Sequence, residues 1–265
     1  MDTASRAFLY GESVFTTMRM VDGVVRDWDL HFDRLKRGVE FVYGPFSDGD
    51  DWALYFKNRL EARYQQEVGN KILRLTIYRE QARGLRNEKV ISVSSLKTHL
   101  LSSNFDPKRT GDKTFKLRTC PAIPRPLWWP SFVKAGNYLE TILNQRRYLK
   151  PEDDDLLYLS ANDTVLESSV ANIFVMRHNT IYTHPVGPNV LEGIMRKRVM
   201  EVAHEFFDDC IESETTMEQL LKADAVFGCN SVRGVFLIDR IDDYDYVYDQ
   251  EILNKFENLR TRLDQ

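Results

Sequence analysis

The chain has 265 residues, 43% hydrophobic and 29% charged, the composition of an ordinary globular protein long enough for one large or two small domains. Its formal net charge of -4 gives no basic excess for nucleic acid, and no apolar run approaches the roughly 18 residues of a membrane-spanning helix. Cys120, Cys210 and Cys229 form no Cys-x-x-Cys pair and are odd in number, which argues against a disulfide framework and for a reducing, cytoplasmic setting. Met1 to Arg19 lacks a long apolar core and carries Asp2, Arg6, Glu12 and Arg19, so no secretory signal is expected there.

Ser13 to Met20 alternates as a strand does, and Asp22-Gly23 predicts a hairpin into Val24-Val25. Leu30, Leu35, Val39 and Val42 fall on one face of a helix from Asp29 to Tyr43, which Gly44-Pro45 ends. A second helix is predicted from Asp51 to Glu67, then strands at Lys71–Arg79 and Lys89–Ser95, together a small α+β domain. The polar stretch Ser102 to Thr114 reads as the linker, giving a small domain over 1–108, a connection at 109–117 and a larger domain over 118–265.

Beyond the linker, Phe115–Thr119 is a predicted strand, followed by an irregular loop with Pro121, Pro124, Pro126 and Pro130 and a helix from Asn137 to Leu149. Strands are predicted at Asp155–Ser160, Thr164–Glu167, Asn172–Met176 and Thr180–Thr183, with turns at Asn162-Asp163 and His178-Asn179. Gly193 opens a helix toward Phe207. Thr216–Lys222 is a short helix, Ala223–Cys229 and Val235–Asp239 are strands, and Glu251–Leu263 is a terminal helix. Cys210 and Cys229 lie in apolar runs and read as small buried side chains.

Lys134 is the most informative residue for chemistry. Most lysines are solvated surface charges, but this one follows Trp128-Trp129-Pro130-Ser131-Phe132-Val133, and apolar neighbours favour the uncharged, nucleophilic form of an amine. Glu167 ends a short strand: either an ordinary turn carboxylate, or an anion that keeps a pyridine nitrogen protonated. Gly193-Ile194-Met195-Arg196 opens a helix without a side-chain cap, and such an end offers free N–H groups and a positive dipole to a phosphate. Asn230-Ser231 is a plain turn or a second phosphate contact. The five histidines show no metal-ligand spacing. His31 and Arg34, three apart, can share a helix face, though isolated histidines are more often surface or capping groups. Neither a Gly-rich nucleotide loop nor Gly-x-Ser-x-Gly is present.

In this order the pieces resemble the class IV aminotransferase family, the fold-type IV pyridoxal 5′-phosphate (PLP) enzymes, from about Tyr10 to Asp239. Tyr10-Gly-Glu-Ser-Val-Phe15-Thr-Thr-Met-Arg19 with Asp22-Gly23 is similar to the first block, and His31-Phe-Asp-Arg34-Leu35 to the second. Tyr78-Arg-Glu-Gln-Ala-Arg83-Gly84 is similar to a shortened third. The Lys134-Ala-Gly-Asn-Tyr138-Leu, Glu167–Phe174 and Gly193–Arg196 blocks follow. The resemblance implies an α+β, two-domain enzyme: a small N-terminal α/β domain and a larger C-terminal domain with a mixed sheet or barrel.

It also implies roles. Lys134 would form the Schiff base with PLP and act as general acid and base, and Glu167 would pair with the pyridine nitrogen. Arg34, the N–H groups of Ile194 and Met195 after Gly193, and Asn230-Ser231 would bind the phosphate. Tyr138 would lie near the ring hydroxyl and Arg83 would meet a substrate carboxylate; no metal is implied. Met195 stands where many transaminases carry threonine. Phe15-Thr-Thr-x-Arg19, Gly193–Arg196 and Cys229-Asn-Ser231 are most similar to the 4-amino-4-deoxychorismate lyases, which release pyruvate to leave 4-aminobenzoate for folate synthesis. The departures are the nine residues before Tyr10, the shortened Arg79–Gly84 block and Trp128-Trp129, all where substrate-facing loops are expected. The alternatives are an aminotransferase for branched-chain or D-amino acids with a 2-oxo acid, and a non-catalytic PLP-fold binding protein. The family also implies a small-molecule amine substrate and a homodimer, with the site between the domains and partly capped by the partner.

Overall fold

The computed structural model describes residues 5–44, 52–64, 66, 68–79, 96–105, 115–122 and 130–264. The predicted strand Lys89–Ser95, the candidate Arg83, Trp128-Trp129 and most of the 109–117 connection lie outside them. The chain forms two compact units, Met1–Asp106 with Phe132–Tyr138, and Pro107–Ser131 with Leu139–Gln265.

The first unit is built on an antiparallel sheet ordered β2-β1-β3-β4, with β1 Ser13–Val21, β2 Val24–Val25, β3 Asn70–Arg79 and β4 Leu96–Asn104. The turn between β1 and β2 has positive φ at both Asp22 (47°) and Gly23 (79°), the conformation for which Asp-Gly is suited. Val14, Met18 and Met20 of β1 and Leu73, Leu75 and Ile77 of β3 bury one face of the sheet with Phe32, Leu35, Val39 and Tyr43 of α2 (Trp28–Tyr43). Phe56, Leu60 and Tyr64 of α3 (Trp52–Tyr64) join that core. Fourteen buried side chains close it into one cluster, so α2 and the sheet stabilise each other through apolar burial rather than helix propensity.

Two local features differ from the sequence reading. A one-turn helix, α1 (Arg6–Tyr10), opens the unit, capped by Ser5, whose hydroxyl accepts from Phe8 N–H, and ended by Gly11 at φ 68°. Five residues are too few to show a helical period. Ser102 to Asn104, read as linker, are the end of β4; the strand lies at the sheet edge with these side chains exposed, so its polar pattern imitates a loop.

The second unit holds a nine-stranded sheet. Its strands are β5 Phe115–Cys120, β6 Asp155–Leu159, β7 Val165–Ser168, β8 Asn172–Arg177, β9 Thr180–Thr183, β10 Asp209–Glu212, β11 Ala225–Asn230, β12 Gly234–Ile241 and β13 Tyr244–Asp245. Six of them, in the order β8-β11-β12-β5-β6-β7, close into a barrel through the Glu167–Asn172 pairing. Ile173 and Val175 of β8 join Leu117, Leu157, Val226, Phe236 and Ile238 in one core. Their neighbours Phe174 and Met176 pack with Val199 and Val202 of α5 (Ile194–Val202) and Phe256, Leu259 and Leu263 of α7 (Gln250–Leu263). Both faces of β8 are therefore buried, which explains its unbroken apolar run. Phe174 and Phe227 stack with centroids 4.8 Å apart. The short helix α6 (Met217–Leu221) carries a full capping box between Thr216 and Gln219.

β10 and β13 escape the sequence reading because they are only four and two residues long and their side chains are mainly exposed. Cys229 is buried as expected, whereas Cys210, on β10, is only partly so. Helix α4 (Leu139–Tyr148) starts two residues later than predicted, because Asn137 and Tyr138 belong to the segment that carries Lys134.

Asp155 opens β6 almost fully buried. Gln145 Nε2 donates to its Oδ1 at 3.2 Å while Oδ2 has no partner. Burial raises its pKa above the ordinary aspartate value, and hydrogen bonds only partly oppose this. A raised folded-state pKa gives stability that is complete below the unfolded value of about 3.9 and lost as pH rises through the folded value. Asp155→Asn, uncharged and able to keep the Gln145 contact, is therefore expected to gain stability relative to the parent between about pH 4 and pH 7. Urea midpoints at the two pH values test this; an equal difference at both would rule it out.

Candidate active site

Lys134 is placed by backbone pairing. Phe15 N–H donates to its carbonyl at 2.9 Å, Gly136 N–H donates to Ser13 O at 2.9 Å, and Val14 bridges Ala135. β2 covers only Met20 and Val21 of β1, and Lys134–Gly136 pairs with the Ser13–Phe15 end of the same edge. Gly136 lets the segment approach β1: a Cβ there would lie 2.2 Å from Ser13 Oγ. The Lys134 amine donates to Tyr138 Oη at 3.2 Å and lies 5.1 Å from the Phe15 ring centroid. The two residues are four apart in sequence, and the rings of Phe15 and Tyr138 are 5.7 Å apart. An amine, a phenol and two aromatic faces thus sit together in the first unit.

Arg34 and His31 occupy the same unit on α2. Both are buried, at 4% and 1% exposure. Arg34 donates to Thr16 Oγ1 at 3.2 Å, and His31 Nδ1 lies 2.7 Å from the same oxygen. The sequence reading of His31 as a surface or capping group is corrected: one turn of helix puts it with Arg34 on the face against β1. Its pKa is pushed well below the ordinary value by burial first, then by the positive charges of Arg34 and Lys134, so the ring is neutral.

The second unit arranges the remaining candidates around Asn172. Glu167 Oε2 accepts from Asn172 Nδ2 at 3.1 Å and from Leu191 N–H at 3.0 Å. Asn172 Nδ2 also donates to Leu191 O at 2.9 Å. Glu167 is therefore a carboxylate of fixed direction at the seam that closes the barrel. Asn172 carried no role in the sequence reading, because its contact with Glu167 depends on the register of β7 against β8. A short polar residue five positions after a candidate carboxylate was the only signal.

Gly193, extended at φ -72° and ψ 137°, precedes α5, and no side chain caps that end. A Cβ at Gly193 would lie 2.0 Å from Asn172 Oδ1. Ile194 and Met195 bury their side chains, leaving the first-turn N–H groups as the donors of the helix end. Arg196 points back into the fold, donating to His184 O at 3.1 Å and Glu212 at 2.5 Å. The carboxamide oxygen of Asn230 accepts from Val232 and Arg233 N–H at 3.0 and 2.8 Å, so it shapes its own turn around Ser231. Among the described residues no cluster of three or more His, Cys, Asp and Glu could hold a metal, and no helix is long and apolar enough to cross a membrane.

Known proteins share this fold. The family model "Amino-transferase class IV" matches residues 13–241. The chain is 24% identical over 239 residues to an aminodeoxychorismate lyase of Vibrio harveyi, covering 87% of this chain and 83% of that protein. It is 21% identical over 243 residues to a D-alanine aminotransferase of Bacillus licheniformis, covering 91% and 83%. The solved 4-amino-4-deoxychorismate lyase of Pseudomonas aeruginosa superposes with a TM-score of 0.83 at 21% identity, over 100% of this chain and 96% of that one, a likeness of fold. The fold is that of the fold-type IV enzymes, and the chain belongs to the class IV aminotransferase family, whose members are PLP-dependent enzymes.

Proposed function

We propose that the protein binds PLP and acts as a 4-amino-4-deoxychorismate lyase, releasing pyruvate and leaving 4-aminobenzoate. The observation that carries the PLP reading is the Lys134 amine, fixed through its backbone to β1 and directed to Tyr138 Oη at 3.2 Å. The donor set fits the cofactor. Lys134 is an amine for its aldehyde and Glu167 a fixed carboxylate for its pyridine nitrogen. Arg34, the N–H groups of Ile194 and Met195 beyond the flush Gly193, and the Asn230-Ser231 turn are donors for its phosphate. Met195 brings no hydroxyl, so that helix end binds through main chain alone. When bound, PLP supplies an aldehyde to take the substrate amine and a ring to accept the electron pair set free at the substrate.

The residues divide the work. Tyr138 orients the Lys134 amine. Lys134 removes the proton from the substrate carbon that bears the nitrogen, then returns a proton to the departing enolpyruvate. Glu167, held by Asn172 and Leu191, favours a protonated pyridine nitrogen. Arg83 is proposed to meet a substrate carboxylate, and the molecule is proposed to work as a homodimer. The lyase reading is supported by the similarity to the Vibrio harveyi enzyme. The similarity to the Bacillus licheniformis protein favours a second reading, amino-group exchange from a D-amino acid to a 2-oxo acid.

Two assays separate the readings. Protein supplied with enzymatically made 4-amino-4-deoxychorismate is expected to form 4-aminobenzoate and pyruvate in equal amounts. Exchange between D-alanine and 2-oxoglutarate without 4-aminobenzoate would replace the lyase by the aminotransferase. Neither reaction, with PLP still bound, would leave a binding protein.

A further inference from the structure

The proposed chemistry makes no use of the imidazole of His31. Its contacts nevertheless favour one position for its proton. Arg34 can only donate, so it occupies one lone pair of Thr16 Oγ1. Thr16 is 1% exposed, and its oxygen makes one other hydrogen bond, to His31 Nδ1 at 2.7 Å. If Nδ1 carried a proton and donated it, the Thr16 hydroxyl proton would be buried without an acceptor. If Thr16 donates to Nδ1, every polar atom of Thr16 is satisfied and the ring proton lies on Nε2. Burial beside Arg34 and Lys134 keeps the ring neutral, so it carries one N–H and not two. That Nε2 is buried and has no hydrogen-bond partner among the described residues. An unmet buried donor on a ring that shares Thr16 with a guanidinium suits an anionic oxygen, since leaving the donor unmet costs about 1–3 kcal/mol.

We propose that His31 is a second phosphate-binding residue: Thr16 fixes it as the Nε2–H tautomer, and Nε2–H donates, beside Arg34, to an oxygen of a phosphate monoester. The proposal rests on the reading of Arg34 as a phosphate ligand and adds a neutral donor to it. A neutral donor supplies direction where a third cation would have cost more to bury next to Arg34 and Lys134.

The test compares PLP with pyridoxal, which lacks the phosphate. His31→Asn retains a polar group near Nδ1 only, whereas His31→Gln extends an amide donor toward the Nε2 position. His31→Asn is expected to weaken PLP binding about tenfold or more while leaving pyridoxal binding nearly unchanged, with His31→Gln recovering part of the loss. Equal weakening of both ligands would assign His31 a purely structural role and overturn the proposal. Nitrogen-15 NMR of the histidine-labelled parent protein gives a readout that does not depend on either variant folding. The His31 signals should be those of the Nε2–H tautomer and should move when inorganic phosphate is added. An Nδ1–H tautomer, or no response to phosphate, would also overturn it. If the parent protein binds phosphate at His31 but no PLP, the cofactor reading fails and this one stands.

Discussion

Lys134→Ala is expected to lower turnover by roughly 10²–10⁴-fold or more, the range associated with losing a positioned acid–base group. It is also expected to abolish covalent retention of the cofactor after borohydride reduction. The substitution isolates chemistry from folding. The segment around Lys134 is held by main-chain bonds, Phe15 N–H to Lys134 O and Gly136 N–H to Ser13 O, each 2.9 Å, and alanine keeps both. What disappears is the amine and its contact with Tyr138 Oη. The side chain is only partly buried, so stability should change little, within about 0.5 kcal/mol. The measurement is mass spectrometry of the reduced protein alongside the rate of 4-aminobenzoate formation. A cofactor adduct persisting in Lys134→Ala would mean that a different lysine carries it.

The second large effect is expected at Gly193. Alanine at this position would place a methyl carbon 2.0 Å from Asn172 Oδ1, and the obstructing amide cannot simply swing away. Asn172 is 5% exposed, and its Nδ2 is committed to Glu167 at 3.1 Å and to the Leu191 carbonyl at 2.9 Å. Moving Asn172 therefore loosens the carboxylate proposed to face the pyridine nitrogen, and moving Gly193 displaces the start of α5, proposed to face the phosphate. Gly193→Ala is expected to cost about 1–3 kcal/mol of stability, as overpacking does, and to weaken PLP binding as well. Urea unfolding and cofactor titration check the two parts. Unchanged PLP affinity would detach the α5 terminus from the cofactor. Its backbone angles are ordinary for any residue, so the effect is one of space and not of glycine's conformational freedom.

How much was legible in the sequence follows from which forces write a pattern. The β1 hairpin, α2 and the buried barrel strands announce themselves because apolar burial imposes a period and Asp22-Gly23 imposes a turn. β10 and β13 do not, because a strand that pairs through its main chain and faces water with Asp209, Glu212, Tyr244 or Asp245 needs no apolar alternation. Among the candidate site residues, Lys134, Glu167 and Gly193 were singled out from their neighbours and their order. Thr16, His31 and Asn172 were not, because each matters through a partner that only strand register or helix facing brings within reach.

The pairing of Lys134–Gly136 with β1 has a consequence for how the polypeptide can be divided. The chain leaves the first unit after Asp106, returns for Phe132–Tyr138 and leaves again, so neither unit is one continuous stretch of sequence. A fragment ending at Asp106 would strip Phe15 N–H of its acceptor and Ser13 O of its donor, and would leave the amine on the discarded piece. The segment bearing the reactive group is also paired, through an isolated bridge, with the start of β1 in the small sheet. Positioning of the amine against that sheet therefore cannot finish before synthesis has passed Tyr138.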